Sequence, residues 1–349
     1  MTNINTAIRY VPDADPNPNL HDLTTAFAAQ DNAAFLSAVA RGLKQVARAP
    51  KTSGLFDSSG IGCIGLIGEY GPVPYGIRRA QELIRTDRTA SYWSHSFLVA
   101  SALSVNPNEN RNPARAPWIW ESSLEPTDSF TNFARRFGAG ARRLSDYARP
   151  RFNFTSSHSV PNIAIIAIGL TEQERRYVMD RANHPEVDQL HYDLPALLGT
   201  WFGYLTNRAE RRNPLSDGQA QYSAAYVQLG YEAAGIDLAP GAHQRNIAPE
   251  HIWQTAKYLY QRLAPVSSAT EESTTRSQGG TPTSTTRRDA DQRPVVGWYC
   301  VREKAGVLVP TDFTFPRSVT GVVAPAARPT RRRSPRAAPK ARLRRRRTP

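Results

Sequence analysis

Residues 162–183 read NIAIIAIGLTEQERRYVMDRAN and contain the clearest fold signal in the chain. Their first part, Asn162–Ile168, is rich in β-branched residues, which predicts a strand. Thr171 then predicts a helix N-cap, because Glu174 stands three residues later and completes a capping box. A strand followed closely by a capped helix favours a sheet with helices packed against it.

Apolar patterns on both sides of this stretch predict the other elements of an α+β fold. A helix begins after Asp31 or Asn32, either of which can act as its cap, and presents a periodic apolar face. Strands are predicted at 96–103 and 118–122, and further helices at 77–88, 192–206, 219–235 and 249–263. We expect a small, mainly antiparallel sheet packed with helices.

Changes in composition divide the chain into five parts. The predicted parts are an N-terminal arm and helix (1–53), the main α+β domain (54–264), a flexible Ser/Thr-rich linker (265–294), a short β-like segment (295–323) and a disordered Arg/Pro-rich tail (324–349). The β-like segment is interpreted either as a small hairpin or as an edge added to the main sheet.

Several classes of protein are disfavoured by composition. No run of 18 apolar residues exists, so a transmembrane helix is not expected, and the N-terminus lacks the pattern of a signal peptide. The only two cysteines, Cys63 and Cys300, cannot build a disulfide framework or a cysteine-only zinc site. We therefore expect an intracellular protein, in the cytoplasm of its own cell or of a host, without metal or cofactor.

Two other patterns favour ordinary structural interpretations. Gly60–Gly65 spells GxGxxG, but no strand precedes it and the prolines that follow cannot open a helix, which disfavours dinucleotide binding. A glycine-rich turn leading into a strand is the better interpretation. His184 and His191 lack helical ligand spacing and are interpreted as surface residues.

Three residues carry the candidate chemistry. His95 opens an apolar strand, where the sheet holds a general base in place; a core or surface histidine is the alternative. Glu121 ends the apolar run Trp118–Glu121, and an adjacent strand would bring it to the second ring nitrogen of His95. Ser223 stands near a helix start, where the macrodipole favours a nucleophile; a small residue in a first helical turn is the alternative.

The order of these pieces resembles the circularly permuted, papain-like hydrolases related to NlpC-type amidases. The matching stretches lie between residues 60 and 260 and are Ser91–His95, Trp120–Glu121, Ile163–Glu174, Tyr192–Asp193, Tyr222–Val227 with Tyr231 and Ala234–Ile236, and Pro249–Ile252. The resemblance implies a permuted papain-like domain with Ser223, His95 and Glu121 as a catalytic triad. In this family the nucleophile is a cysteine, whereas here Ser223 takes its place.

This exchange leaves two classes of function open. One is an active hydrolase of amide or ester bonds, with Ser223 as nucleophile, His95 as base and Glu121 as the group that orients it. The other is a degenerate, non-catalytic scaffold, because a site shaped for a thiolate does not suit a hydroxyl without adjustment. The exchange favours the second class; an engineered Cys→Ser substitution would also explain it.

The basic tail predicts an anionic partner. Residues 328–349 contain ten Arg, one Lys and no acidic residue, and subtracting these eleven charges from the net +14 leaves +3 for residues 1–327. We expect sequence-independent binding of nucleic acid, preferably RNA, with a membrane surface or an acidic protein as alternatives. A virion-associated structural protein that joins a capsid or other assembly is a specific form of this hypothesis. The predicted contacts are Arg331, Arg332, Arg333, Arg336, Lys340, Arg342, Arg344, Arg345, Arg346 and Arg347.

Overall fold

One mixed sheet forms the centre of the fold in the computed structural model. The structure describes residues 20–27, 31–50, 52–69, 72–123, 138–148, 162–184, 199–200, 222–240, 242–243, 246–263 and 293–302. The strands within these ranges are β1 (Leu20–Asp22), β2 (Ile64–Gly68), β3 (His95–Val99), β4 (Trp118–Ser123), β5 (Gly138–Arg143), β6 (Asn162–Ile168) and β7 (Val295–Val301). Their order across the sheet is β1-β7-β6-β2-β3-β4-β5.

Neighbouring strands run antiparallel throughout this sheet except for β1 and β7, which are parallel. The expected α+β class is therefore confirmed, with a mixed sheet. In the register of β3 and β4, Leu98 lies opposite Trp120 and Val99 opposite Ile119. Because side chains alternate between the faces of a sheet, this register places His95 and Glu121 diagonally on one face.

Helices pack on both faces of the sheet. Those in the described part of the chain are α1 (Asn32–Arg48), α2 (Pro72–Ala80), α3 (Pro107–Arg111), α4 (Glu172–Ala182), α5 (Ser223–Ala233) and α6 (Pro249–Leu263). The expected capping box is present, since Thr171 Oγ1 accepts from the Glu174 N–H and the Glu174 carboxylate accepts from the Thr171 N–H. The helix expected over 77–88 instead begins at Pro72 and continues as a 3₁₀ turn to Leu83. The expectation that the prolines after Gly65 could not open a helix is therefore wrong, because a proline in the first turn loses no helical hydrogen bond.

Two apolar cores result, one on each face of the sheet. Helix α1 covers one face, where Phe97 and Val99 of β3 are buried. Helices α4, α5 and α6 contribute to the other core, where Leu98 of β3 is buried. Successive residues of β3 therefore enter different cores, and a shift of one position decides which helices a strand side chain meets.

The two chain segments expected to flank the domain are both part of its sheet. Strand β7 lies between β1 and β6, so it is neither a separate hairpin nor a sheet edge. Residues 20–22 of the predicted N-terminal arm form the edge strand β1. Gly42 of α1 shows how closely β7 is packed, because a Cβ there would lie 2.4 Å from the Trp298 ring.

Other expectations concern membranes, metals and the parts of the chain outside these ranges. Within the ranges given above, no helix combines the length and the apolar character needed to cross a bilayer. The same residues contain no group of three or more His, Cys, Asp or Glu side chains placed to hold a metal ion. The predicted helix at 192–206, the linker at 265–294 and the tail at 324–349 lie outside the described residues, apart from residues 199–200 and 293–294.

Candidate functional site

His95 and Glu121 form a hydrogen-bonded pair on the α1 face of the sheet. The His95 Nε2 and Glu121 Oε2 atoms are 2.9 Å apart. His95 is the first residue of β3, and Glu121 lies on the neighbouring strand β4. The sequence-based prediction that an adjacent strand brings this carboxylate to the ring of His95 thus agrees with the geometry.

The Glu121 carboxylate has three partners in a buried site. Besides His95, the Tyr147 hydroxyl donates a hydrogen bond to Oε2, and Arg142 Nε forms an ion pair with Oε1 at 3.1 Å. Glu121 itself is completely buried, whereas Arg142 keeps a little solvent exposure. The β4–β5 pair and the 3₁₀ turn that follows it at Leu144–Ala148 therefore supply the acid, the cation and the phenol.

The surroundings of Glu121 strongly favour its ionised form. Burial opposes ionisation, but His95, Arg142 and the hydrogen bonds from His95 and Tyr147 outweigh it and lower the pKa of Glu121 to about 2. Burial, together with the charges of Glu121 and Glu69, raises the pKa of Tyr147 well above its ordinary value. Tyr147 is therefore a fixed donor and Glu121 a fixed anion at neutral pH.

The lowered pKa of Glu121 predicts a loss of stability in acid. A carboxylate whose pKa falls on folding stabilises the native state above its unfolded pKa of about 4.3, and this contribution disappears as the pH falls towards 2. We expect the free energy of unfolding of the wild type to decrease between about pH 4.5 and 2 more steeply than that of Glu121→Gln, as measured by urea denaturation.

The Glu174 carboxyl also has a lowered pKa and loses its charge over the same pH range. It must therefore stay unchanged in both proteins. Its hydrogen bond to Arg293 is the largest of the effects that lower its pKa to about 2. The difference between wild type and Glu121→Gln removes this common contribution. Parallel stability curves for the two proteins below pH 4.5 would contradict the assigned pKa of Glu121.

Ser223 occupies a different environment from the pair. It is the first residue of α5, only 3% exposed, and is followed by the buried residues Ala224 and Ala225 of the core on the opposite face. A Cβ at Gly230 in the same helix would lie 3.3 Å from Leu98 Cδ1, which confirms the face on which α5 packs. Among the described residues, no hydrogen bond joins Ser223 to His95 or Glu121.

The structure therefore brings together two of the three predicted site residues. The sequence indicated that His95 begins a strand and that Ser223 begins a helix, and both elements are present. It did not indicate the face of the sheet towards which His95 projects. His95 shares its face with Phe97 and Val99, in the core covered by α1, whereas α5 packs on the other face. The catalytic role of the three residues stays a prediction.

Two residues of the site were missed by the sequence analysis. Arg142 and Tyr147 fall between the predicted strands at 118–122 and 162–168, in a stretch for which no element was predicted. The β4–β5 register pairs Glu121 with Gly140, so Arg142, two residues further along, lies on the same face as Glu121. The stretch GAGARR is rich in Gly and Ala, which are depleted in strands, so the sequence indicated neither this strand nor its register.

A second buried ion pair positions the segment that leads into β3. Arg85 Nη1 lies 3.1 Å from Glu250 Oε1, and the Ser91 hydroxyl donates to Glu250 Oε2 at 2.6 Å. Gln81 Oε1 accepts a hydrogen bond from the Glu250 N–H at the start of α6. These contacts join α6 to residues 81–91 and have a structural role, because both ions are buried and paired.

Neither cysteine is placed to act as a nucleophile. Both are buried, and burial raises the pKa of the Cys63 thiol to about 12. Burial is also the main cause of the raised pKa of Cys300. A reactive cysteine needs the opposite environment, one that is partly exposed and electropositive.

Comparison of the chain with protein-family models and with curated proteins gives no match. The structure therefore assigns the protein to a fold class. It is an α+β protein whose mixed sheet separates two apolar cores and carries a buried His–Glu pair on one face.

Proposed function

We propose that this protein is a non-catalytic scaffold of degenerate papain-like ancestry, tethered to nucleic acid by its Arg-rich C-terminal tail. A virion-associated structural protein, in contact with a capsid or another assembly, is one specific form of this proposal. Such a protein needs a folded domain for assembly and a cationic extension for the packaged nucleic acid.

The observation that carries the non-catalytic part is the separation of Ser223 from His95. A nucleophile and its general base must be within hydrogen-bond reach, at about 2.6–3.2 Å. Here Ser223 is buried at the start of a helix on one face of the sheet, and His95 belongs to the other face. Glu121 is held by three partners, so the pair is well suited to stabilise the sheet edge.

The charge distribution supports the nucleic-acid part. Eleven of the net fourteen positive charges belong to residues 328–349. Arg guanidinium groups bind phosphates through paired N–H donors, and each phosphate neutralised releases counterions into solution. The matching experiment compares RNA binding by the full chain and by residues 1–327.

An active hydrolase is the second candidate, and the His95–Glu121 hydrogen bond favours it. A carboxylate that accepts from one imidazole nitrogen fixes the tautomer and directs the other nitrogen towards a reacting group. The bond uses Nε2, so Nδ1 would serve as the base. This candidate requires Ser223 to reach Nδ1 from the helix start that the family resemblance assigns to the nucleophile.

The substitution Ser223→Cys distinguishes the two candidates. If the residue is a core position, the new thiol should react with iodoacetamide no faster than a free thiol at any pH, because a buried thiol ionises less readily. Adding His95→Ala should then leave the rate unchanged. The wild type serves as the control for Cys63 and Cys300, which are both buried.

The opposite result would support the hydrolase. Labelling that is faster than that of a free thiol near neutral pH, and that slows when His95 is replaced, would place a low-pKa thiolate beside the imidazole. The separation of Ser223 from His95, on which the non-catalytic part of the proposal rests, would then be contradicted. The nucleic-acid part would remain open to its own test.

A further inference from the structure

Trp118 is an exposed aromatic residue with a cation stacked on its ring. Its relative exposure is 40%, and the other large hydrophobic residues exposed in the described ranges are Val105 and Tyr177. The Arg143 guanidinium carbon lies 3.9 Å from the centre of the Trp118 ring. Two fifths of this large aromatic side chain therefore stay accessible to a partner in solution.

The backbone holds this stacked pair in a fixed arrangement. Trp118 is the first residue of β4 and Arg143 the last of β5, and the two are directly opposite each other in the register. The Arg143 Nη1 atom donates a hydrogen bond to the Ala116 carbonyl oxygen at 2.6 Å. Since β5 is the terminal strand among the described strands, the pair lies at that edge of the sheet.

Alternation along β5 separates this pair from the buried site. Arg142 forms the ion pair with Glu121 on the α1 face, whereas Arg143, the next residue, stacks on Trp118. Trp120, two residues after Trp118, packs against the apolar core. The strand therefore packs one partly buried tryptophan against the core and leaves the other more exposed beside a cation.

We propose that Trp118 and Arg143 form a stacking site for an unpaired base of single-stranded nucleic acid. This inference rests on the proposed tethering by the tail and extends it to the folded domain. Bases stack on exposed aromatic rings whatever their sequence, and neighbouring arginines contact the backbone phosphates. Such a site would add a preference for single strands to a tail that binds any phosphate backbone.

Two further arginines in the segment that leads into β4 are exposed. Arg115, three residues before Trp118, is 68% exposed, and its ion pair with Glu109 is long, at 3.7 Å. Arg111 is also more than half exposed and pairs with Asp31. Both arginines pair with carboxylates at the surface, where ion pairs contribute little to stability.

The tail makes a weak stacking site effective. Residues 1–327 carry a net charge of only +3, so the domain is not expected to bind nucleic acid strongly by itself. A strand held by the tail is present near the domain at a high effective concentration, and a second contact then adds to the affinity. Loss of one stacked base should reduce affinity by roughly 5- to 100-fold.

The test measures binding of the full chain to a fluorescently labelled single-stranded RNA and to a fully paired RNA duplex. Trp118→Ala should weaken binding to the single strand by about 5-fold or more and leave duplex binding unchanged. Its salt dependence should stay the same, because no charge is removed. Trp118→Phe should retain most of the affinity, since an aromatic face remains.

Tyr177→Ala is the matched control. Tyr177 is the other exposed aromatic among the described residues, at 47%, and it lies on α4 away from this strand pair. Its replacement should change neither affinity, and thermal melting of each variant checks that the fold is kept.

Three other results would contradict the stacking site, and one of them would also contradict the tethering. Equal single-strand affinity for the wild type and Trp118→Ala would overturn the stacking site and leave the tethering proposal intact. Equal losses for single strand and duplex would also overturn it, because a stacking site discriminates between them. A full chain that binds neither RNA would overturn the tethering proposal and the stacking site with it.

Discussion

Replacing Glu121 by alanine should destabilise the folded protein by about 3–5 kcal/mol, because the substitution removes one partner of a buried ion pair. Glu121 is fully buried, and its loss leaves Arg142, His95 and Tyr147 without the acceptor they share. Urea denaturation followed by circular dichroism measures the difference. The change should appear as a lower midpoint at an unchanged slope.

Glu172→Ala is the matched control for this substitution. Glu172 also pairs with an arginine, Arg176, but both side chains are more than 70% exposed. Surface ion pairs contribute about 0–1 kcal/mol, so this variant should be almost as stable as the wild type. Similar losses in both variants would show that the site around Glu121 has no special role in stability.

Tyr147→Phe keeps this test usable if Glu121→Ala does not fold. It removes a single O–H donor to a charged acceptor and should cost about 1.5–3 kcal/mol. A Tyr147→Phe protein as stable as the wild type would contradict the hydrogen bond between the phenol and the carboxylate.

Removing residues 328–349 should lower the affinity for single-stranded RNA at least about a hundredfold at low salt. The eleven cations of this segment supply most of the capacity to neutralise phosphates, since the remainder of the chain has a net charge of +3. Fluorescence anisotropy with a labelled RNA gives both affinities. Binding of equal strength by both proteins would exclude the tail as the nucleic-acid site.

Two tail variants separate the effect of charge from the effect of length. Replacing all eleven cations by glutamine should reproduce the deletion, because the length is kept and the charge is lost. Replacing the ten arginines by lysine should keep most of the salt dependence and weaken contacts that need two parallel N–H donors. Tight binding of the full chain to anionic vesicles but not to RNA would assign the tail to a membrane surface instead.

Local signals predicted the elements of the fold well. Strand β6 and the capping box of α4 were predicted as the structure has them, because β-branched residues and a Thr–Glu capping pair act within a few residues. The parallel pairing of β1 with β7 was not predicted. It joins residues more than 270 positions apart, and no local pattern encodes such a contact.

In the candidate site, too, contacts with local signals were predicted, whereas those set by strand register and tertiary packing were not. The pairing of His95 with Glu121 followed from two neighbouring strands with polar residues at their ends. The contributions of Arg142 and Tyr147 depended on the β4–β5 register, which the sequence did not reveal. The place of Ser223 depended on which face of the sheet α5 covers, and this choice is made by tertiary packing.

The salt dependence of RNA binding tests the central claim most directly. For the full chain, the logarithm of affinity should fall with the logarithm of salt concentration at a slope of roughly −4 to −7 for a single strand, as expected for six to ten phosphate contacts. For residues 1–327 the slope should be close to zero, because the tail has been removed. Equal slopes for the two proteins would show that the folded domain, and not the tail, binds the nucleic acid.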